Sequence, residues 1–436
     1  MKLYDSYSNQ LVEINDELIS IYNCGPTVYN HIHIGNARPL ITMDVLYRFL
    51  KKHNIKTKYV LNITDIDDKI INYALANNLK ELEVSEYYFN EYLKIKKALN
   101  TLEMINPKVS THMDKIIDYI QKLIDKQAGY FIGDDVYFDT KKALNYGQLS
   151  KRDLENDIVG MRIESAANKH NPNDFILWKK TNKGIMWNTP WGIGRPGWHS
   201  ECSCLINTYI GEQVSIHGGG IDLKFPHHEN ENAQNQVLYN KNLAKVWMHF
   251  GLVNINNEKM SKSLNNFILV KDLLAEYDYQ VVRWFFYQAD YKQPIKFSHE
   301  IMKQNEKEIL KIKNAIYNAK NYLYFNNQLK SLTQIDHFGL FDERINDDLD
   351  FVGIVDLIHI SVKKINILIK ENKDMNELKL NLTQLLYMLD ILGINFVDLH
   401  NDKNLALLNT WKNYIDKKDY VKADELRKQL INIGIL

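Results

Sequence analysis

The strongest constraint on the fold is a strand–helix–strand pattern near the start of the chain. The apolar run ELISIYNCG at residues 17–25 predicts a buried strand that ends in a glycine turn. Residues 37–53 place apolar side chains at helical spacing, with Pro39 near the start of the helix, where a missing N–H costs little. The run KTKYVLNIT at residues 56–64 predicts a second strand. A strand, a helix and a strand at this spacing form a βαβ unit, so we expect a parallel sheet with a right-handed crossover.

This alternation is interrupted and then returns. Residues 100–190 contain an amphipathic helix, MDKIIDYIQKLIDKQ, and the hairpin-like GYFIGDDVYFDT, which we interpret as an insertion. The strand VSIHGG at 214–219, the helix HHENENAQNQVLYN and the strand VWMHFGLVNI resume the pattern. Beyond about residue 300, glycine and proline become scarce and leucine and isoleucine recur at helical period. We therefore predict an α/β fold: a Rossmann-like domain with a parallel sheet and an insertion, followed by a C-terminal α-helical domain.

Composition limits the class of protein. The chain of 436 residues is long enough for about three domains and a large buried core. Its 54 basic and 54 acidic side chains cancel, so bulk electrostatics indicate no particular partner, and only local clusters of lysine and arginine would reveal one. Three cysteines exclude a disulfide scaffold, and no apolar run approaches the roughly 20 residues of a membrane helix. We expect a cytoplasmic protein with no membrane partner.

Two polar loops carry candidate phosphate-binding residues. HIHIGN at residues 31–36 lies between a predicted strand and a helix N-terminus, where backbone N–H groups and the helix dipole attract anions. Lys259 and Lys262 lie three apart in EKMSKSLNN at 258–266, and their mobile ammonium groups are suited to bind phosphates as charge develops on them. Each loop alone also fits a solvated surface loop, although KMSKS is a much rarer string than a generic lysine loop.

A third set of residues has the side chains of a metal site. Cys24 ends the first strand, Cys202 lies in GRPGWHSECS, and His227 and Glu231 are four apart on a predicted helix, which places them on one helix face. Two thiolates, one imidazole and one carboxylate suit zinc. Taken singly, each cysteine fits a small buried apolar residue and His227 fits a packed core histidine. Spacing alone does not assemble ligands from segments this far apart.

Together, the three sets resemble one protein family. HIGN after the first strand and KMSKS after a later one are similar to motifs that class I aminoacyl-tRNA synthetases share. The strings CGPTVYN, GRPGWHSECS and GGGIDLKFPHHENE are similar to the cysteinyl-tRNA synthetase family in particular. The resemblance runs from residue 24 to the helical segment past residue 300.

The resemblance implies a role for each matching position. The zinc ligands, for one ion per chain, would be Cys24, Cys202, His227 and Glu231. Residues 26–36, here called the signature loop, match the family's ATP-binding signature, in which His33, Gly35 and Asn36 would contact ATP. The catalytic side chains acting on the phosphates would be His33, Asn36, Lys259 and Lys262. The amino-acid pocket would consist of Gly25, Thr64, Trp198, His217 and Asp222. Beside the site, Cys204 and His228 are expected to be packing residues.

The same resemblance implies a two-step reaction. The carboxylate of L-cysteine would attack the α-phosphate of ATP, which binds with Mg²⁺, to give cysteinyl-adenylate and pyrophosphate. The cysteinyl group would then pass to the 3′-terminal ribose of tRNA-Cys. Zinc would select the substrate thiolate, because a plain pocket separates near-isosteres such as cysteine and serine by only ~1–3 kcal/mol. The chain is expected to act as a monomer.

We expect five segments along the chain. They are residues 1–104 and 190–255 for the two halves of the catalytic domain, 105–189 for a connective insertion, 256–300 for the KMSKS loop and stem-contact region, and 301–436 for a helical tRNA-binding domain with a short tail.

Two features depart from the family pattern, and two alternative functions stay open. Asn36 stands where histidine is usual, although an amide still donates hydrogen bonds to phosphate or ribose. The sequence stops at INIGIL, where the family usually continues, which weakens any inference about anticodon recognition. The alternatives are a ligase that transfers activated cysteine to an amino sugar, and a non-catalytic binding protein, against which the intact metal and KMSKS residues argue. A zinc hydrolase is disfavoured because the sequence contains no HExxH.

Overall fold

The computed structural model describes residues 1–152, 168–255, 258–259 and 267–436. The chain divides into two compact units. The first consists of residues 1–276, 289–297 and 345–349, and the second of residues 277–288, 298–344 and 350–436. The five segments expected from the sequence remain a prediction.

The first unit contains the β-strands and seven α-helices of the described residues. The strands are β1 (Lys2–Asp5), β2 (Gln10–Glu13), β3 (Ile19–Asn23), β4 (Thr57–Leu61), β5 (Gly129–Ile132), β6 (Asp135–Phe138), β7 (Phe175–Lys180), β8 (Trp187–Thr189), β9 (Gly192–Pro196), β10 (Val214–Gly220), β11 (Ala244–Phe250), β12 (Val253–Ile255), β13 (Glu258–Lys259) and β14 (Ile295–Phe297). The helices are α1 (Ile34–Lys52), α2 (Asp68–Ala76), α3 (Glu81–Ala98), α4 (Met113–Asp125), α5 (Trp198–Tyr209), α6 (Glu229–Tyr239) and α7 (Val270–Glu276).

A four-stranded parallel sheet in the order β11–β10–β3–β4 forms the centre of this unit. Ile21 of β3 pairs with Ile216 of β10 and with Tyr59 of β4. All five residues of β3 are buried, as expected for a parallel strand covered on both faces. The predicted βαβ unit is therefore confirmed as β3, α1 and β4, and the second alternation as β10, α6 and β11.

Helix α1 begins earlier than the sequence indicated. His33 is its N-terminal cap, with an extended backbone, and the Oδ1 atom of Asn36 accepts the N–H of His33 at 3.2 Å. These contacts draw the end of the signature loop into the first helical turn. The placement of Pro39 near the helix start was wrong: it is the sixth residue, so the helix lacks the hydrogen bond to the carbonyl of Gly35.

Residues 113–196 add a five-stranded antiparallel sheet in the order β5–β6–β7–β9–β8 and helix α4. The predicted hairpin is confirmed as β5 and β6, and the predicted amphipathic helix as α4. Ile116 and Ile120 of α4 share one buried cluster with Tyr22 and Val60 of the parallel sheet and Trp178 of β7. The antiparallel sheet is thus held by the core of the parallel sheet.

A short three-stranded sheet follows the parallel sheet in the chain. β12 pairs with β14 in parallel and with β13 in antiparallel orientation, with Asn254 opposite Lys259. The sequence predicted that Lys259 lies in a loop, but in the structure Lys259 is the last residue of β13.

The second unit is helical, which confirms the prediction for the C-terminal region. Apart from the end of α10, it contains α8 (Tyr279–Phe286), α9 (His299–Phe325), α10 (Gly339–Asn346), α11 (Phe351–Lys370), α12 (Met375–Ile391), α13 (Asp402–Asp416) and α14 (Tyr420–Ile433). Across the described parts of both units, no helix is long and apolar enough to cross a membrane.

Candidate active site

The carboxyl ends of the parallel strands carry the candidate site. Cys24 directly follows β3, and β10 ends at Gly220, seven residues before His227. Because the strands are parallel, their carboxyl ends share one edge, and open α/β sheets bind ligands at that edge. Helices α5 and α6 bring Cys202 and Glu231 to the same place.

The four predicted metal ligands lie together. The ligand atoms of Cys24, Cys202, His227 and Glu231 are all within 4.8 Å of one another. The Sγ atom of Cys24 is 3.9 Å from that of Cys202 and 3.6 Å from Oε1 of Glu231. Nε2 of His227 is 2.7 Å from the same carboxylate oxygen. We call these four residues the metal cluster.

The predicted helix spacing of His227 and Glu231 needs one correction. His227 lies in a π-helical turn, Lys224–His228, which precedes α6, whereas Glu231 lies in the first turn of α6. The two residues still face each other because the turn continues into the helix. Three residues of the metal cluster are buried and Cys24 is partly buried, so the cluster is accessible at Cys24.

Close contacts set the charges of the metal cluster. Burial would raise the pKa of Glu231, but His227 and His217 lower it well below its usual range. Burial would lower the pKa of His227, but the adjacent Glu231 carboxylate and the Cys202 sulfur raise it to about 10. The Cys24 thiol donates to the sulfur of Cys202 and lowers the pKa of Cys202 to about 6, whereas burial raises the pKa of Cys24 well above its usual value. The cluster therefore holds anionic groups and exchangeable protons that a cation could replace.

Three more histidines contact the metal cluster. Nε2 of His217 is 2.6 Å from Oε2 of Glu231, and Nε2 of His228 is 3.5 Å from the sulfur of Cys24. Nδ1 of His199 lies 3.0 Å from Nδ1 of His227. Burial lowers the pKa of His199 to about 3, so the neutral ring accepts the N–H of His227. That hydrogen bond keeps Nε2 of His227 directed at Glu231.

Sequence reasoning described these histidines incompletely. His217 was expected in the amino-acid pocket and His228 as a packing residue, and His199 had no role. The available signal for His199 was its position one turn before Cys202 on α5, which places the two side chains on one helix face. Cys204 is buried, with its sulfur 3.9 Å from Oγ1 of Thr208, and is not part of the metal cluster.

A cavity of about 870 Å³ opens beside the metal cluster. The predicted site residues that line it are Cys24, Gly25, His33, Gly35, Asn36, Trp198 and Asp222. Thr64 and His217 are buried and do not line it. Tyr29 and His31 of the signature loop also line it, and lining residues that the sequence did not indicate are Lys69, Phe250, Phe267 and Asp272. The cavity thus joins the metal cluster to the signature loop.

Gly25 and Trp198 shape the cavity beside the cluster. A Cβ atom on Gly25 would lie 1.6 Å from the carbonyl oxygen of Asn62, so only glycine fits there. The ring of Trp198 stacks on that of His227, with centroids 4.1 Å apart, and is 40% exposed. Asp222 is exposed at the cavity. An apolar ring and a carboxylate are therefore available to a small ligand beside the metal cluster.

The signature loop forms the other end of the cavity. The N–H of Ile34 donates to the carbonyl of Ile268 at 2.9 Å, and the N–H of Val270 donates to that of Ile32 at 3.0 Å. Asn36 uses Oδ1 for the helix cap, which leaves its amide N–H groups as donors. The helix N-terminus adds backbone N–H groups, so this end suits an anion. Lys262 and the side chain of Lys259 lie outside the described residues.

Known proteins resemble this chain over most of its length. A family model described as the catalytic domain of class I (C) tRNA synthetases matches residues 10–307. A cysteine–tRNA ligase of Ureaplasma parvum serovar 3 is 99% identical over 436 residues, which are the whole of both chains. The chain belongs to the cysteine–tRNA ligase family. Another relative, the cysteine–tRNA ligase of Mycoplasmoides gallisepticum, is 45% identical over the whole of both chains.

Solved structures share the fold of the family. Methionyl-tRNA synthetase of Mycobacterium tuberculosis, in complex with methionyl-adenylate, matches with a TM-score of 0.62 over 90% of this chain and 91% of that one, at 13% identity. An arginyl-tRNA synthetase from Campylobacter jejuni matches with a TM-score of 0.62 over 88% of this chain and 94% of that one, at 12% identity. The chain is therefore an enzyme with the class I aminoacyl-tRNA synthetase fold.

Proposed function

We propose that the chain activates L-cysteine with ATP and transfers the cysteinyl group to the 3′-terminal ribose of tRNA-Cys. The observation that carries the proposal is the metal cluster, which opens into the same cavity as the signature loop. One cavity can then hold a thiol at one end and a polyphosphate at the other. Family membership supports the proposed reaction.

The metal cluster fits one zinc ion per chain. Two sulfurs, one imidazole nitrogen and one carboxylate oxygen are donors that suit this borderline-soft ion. The hydrogen bond from Nδ1 of His227 to His199 is the support that a metal-bound imidazole requires at its other nitrogen. When bound, zinc would supply a bond to the thiolate of the substrate. Serine offers no comparable ligand near neutral pH, because its hydroxyl does not ionise there.

The amino-acid pocket surrounds the accessible side of the metal cluster. Asp222 lines the cavity and would pair with the substrate ammonium group. Trp198 would cover the side chain of the substrate, and Gly25 permits close approach of its backbone. Thr64 and His217 would support this surface without lining it. The N–H of Thr64 donates to the carbonyl of Pro26 at 3.2 Å, and His217 contacts the carboxylate of Glu231.

The phosphates of ATP and their Mg²⁺ would occupy the end of the cavity at α1. His33, Gly35 and Asn36 line this end, and Lys259 and Lys262 would supply the cationic charge that grows in importance at the transition state. Neither step needs a covalent enzyme intermediate, since the carboxylate of cysteine and a ribose hydroxyl are the two nucleophiles.

The helical region 301–436 is proposed to bind tRNA. Its support is that this region belongs, except for residues 345–349, to the second unit, which contains none of the proposed metal, amino-acid or ATP ligands. We further propose that the protein works as a monomer in the cytoplasm, where a reducing environment keeps Cys24 and Cys202 free to bind metal.

The test measures both half-reactions with purified protein. Cysteine-dependent exchange of pyrophosphate into ATP reports the first step, and transfer of labelled cysteine to tRNA or to an amino sugar reports the second. We expect exchange, and transfer to tRNA. Transfer to the amino sugar alone would identify the alternative ligase, and a protein without any exchange would be a binding protein.

Substrate selection tests the role of zinc separately. The kcat/KM of exchange is compared for cysteine and serine on one zinc-loaded preparation. A pocket that measures size alone separates them by no more than roughly 200-fold. We expect the ratio of kcat/KM for cysteine to that for serine to be larger. A ratio within that limit would show that zinc does not select the substrate.

A further inference from the structure

Arg38 is a buried cation that neither lines the cavity nor contacts the metal cluster. Its side chain is 1% exposed on α1. Nη1 donates to the carbonyl of Gly251 at 2.7 Å, and Nη2 donates to the carbonyl of Asp290 at 2.9 Å. Burial lowers its pKa to about 10, so the group stays protonated at neutral pH. Arg38 therefore joins two backbone segments that are remote in the sequence.

The segment at Gly251 forms part of the wall of the cavity. Gly251 and Leu252 line the cavity, as do Gly35 and Asn36 in the first turn of α1. Gly251 donates its N–H to the carbonyl of Tyr291 at 2.9 Å. A Cβ atom on Gly251 would lie 2.3 Å from the carbonyl oxygen of Gln293, so the wall and residues 290–293 are in close backbone contact. Through its two hydrogen bonds, Arg38 connects both of these backbone segments to α1.

The same wall leads directly into β12. This strand begins at Val253, two residues after Gly251, and its Asn254 pairs with Lys259 of β13. The N–H of Ile295 donates to the carbonyl of Leu252 at 2.9 Å, which aligns β14 on the other side. The backbone position of Lys259 relative to α1 thus depends on the segment that Arg38 holds.

Core packing alone does not explain an arginine at this position. Burial of a charged group is costly unless the group is hydrogen-bonded, and an unbranched apolar side chain such as methionine would fill similar space without that cost. What methionine lacks is the rigid planar group that donates to two carbonyls at once. The benefit of arginine here is therefore geometric.

We propose that Arg38 is a positioning residue of the first reaction step, which sets the separation between the first turn of α1 and the cavity wall at Gly251 and Leu252. This inference rests on the proposed function. The nucleotide would be held between these two surfaces, whereas the metal cluster and Asp222 lie outside the contacts of Arg38. Loss of the guanidinium group should consequently impair the use of ATP in the first step and leave the KM for cysteine unchanged.

The test compares Arg38→Met and Arg38→Lys with the wild type in cysteine-dependent pyrophosphate exchange, with ATP and cysteine varied in turn. A displacement of about 1 Å far from the reacting atoms can cost up to 100-fold in rate. We expect kcat/KM for ATP to fall at least about tenfold in Arg38→Met, with the KM for cysteine and the zinc content unchanged. Arg38→Lys keeps the charge but presents one donor group, so it should recover only part of the loss.

Arg283 provides a matched control. It is fully buried on α8 in the second unit, and its Nε donates to the carbonyl of Leu392 at 2.8 Å. Arg283→Met should unfold more easily but keep exchange within about twofold per folded molecule. Three results would each overturn the proposal. They are an equal loss of exchange activity in Arg283→Met and Arg38→Met, an equal change in the KM values for ATP and for cysteine, and exchange at the wild-type rate in Arg38→Met.

Two outcomes need separate treatment. If Arg38→Met does not fold, Arg38→Lys decides: a KM for ATP raised at least about threefold supports the proposal, and an unchanged value overturns it. If the wild type itself shows no cysteine-dependent exchange, the proposed function fails, and the result is distinct from a failure of the variants.

Discussion

Zinc binding to the metal-free protein should release protons, and the structure predicts how many. At pH 7.5, His227, with a pKa of about 10, carries an extra proton, and Cys24, whose pKa burial raises, is a thiol. Cys202, with a pKa of about 6, is already a thiolate, and Glu231 is already a carboxylate. Zinc binds neutral imidazole and thiolates, so about two protons should leave for each ion bound.

The number of protons sets the pH dependence of zinc affinity. Because zinc and protons compete for the same atoms, affinity must rise with pH, and two protons correspond to about 100-fold per pH unit, or ~2.7 kcal/mol. Below about pH 6 the thiol of Cys202 also holds its proton, so the number should approach three and the slope should steepen.

Titration calorimetry measures this number directly. Zinc is titrated into chelator-treated protein at one pH in buffers with different enthalpies of ionisation, and the dependence of the observed heat on buffer enthalpy gives the protons released. We expect about two at pH 7.5 and a value closer to three at pH 5.5. Cys204→Ala is the matched control, since this buried thiol lies outside the metal cluster and should not alter either number. A release of one proton or fewer at pH 7.5 would refute the proton positions assigned to His227 and Cys24.

Three further predictions follow from the site and the sheet. Glu231→Gln removes the carboxylate that contacts both His217 and His227, so elemental analysis should find zinc reduced from about one ion per chain to a small fraction, and full retention would contradict the ligand assignment. Lys262→Ala should slow pyrophosphate exchange by about 100-fold or more while the KM for cysteine stays nearly constant, and unaltered exchange would make this lysine a surface residue. The contacts of Asp16 with Lys245 and Ser215 outweigh its burial and lower its pKa, so the stability that they add is present above the unfolded pKa of about 3.9 and is lost as pH falls through the folded value. Asp16→Asn should therefore lower the free energy of unfolding by about 0.5 kcal/mol at pH 7 and by less at pH 3, and an equal loss at both would show that charge is not the cause.

The order of the elements could be predicted because it depends on local patterns. The apolar run of β3 indicates a strand covered on both faces, and the spacing within α1 indicates a helix with one apolar side. The start of α1 could not be predicted in the same way. It depends on the hydrogen bond from the N–H of His33 to Asn36, which draws residues into the helix that no apolar spacing marks. The side chains of the metal cluster were recognised from strings that resemble a family, and not from their spacing.

The meeting of remote side chains is decided by the tertiary structure. Cys24 and Glu231 are 207 residues apart in the chain, and Arg38 and Gly251 are 213 apart, yet each pair is in contact. Periodicity reports only which face of one element a residue occupies. It could therefore place His199 on the Cys202 face of α5, but it could not indicate that His199 contacts His227 or that Arg38 contacts Gly251. Which elements become neighbours follows from the order β11–β10–β3–β4 and from the helices packed on those strands. Since parallel strands end at a common edge, that order places Cys24 and the turn after β10 within reach of one ion.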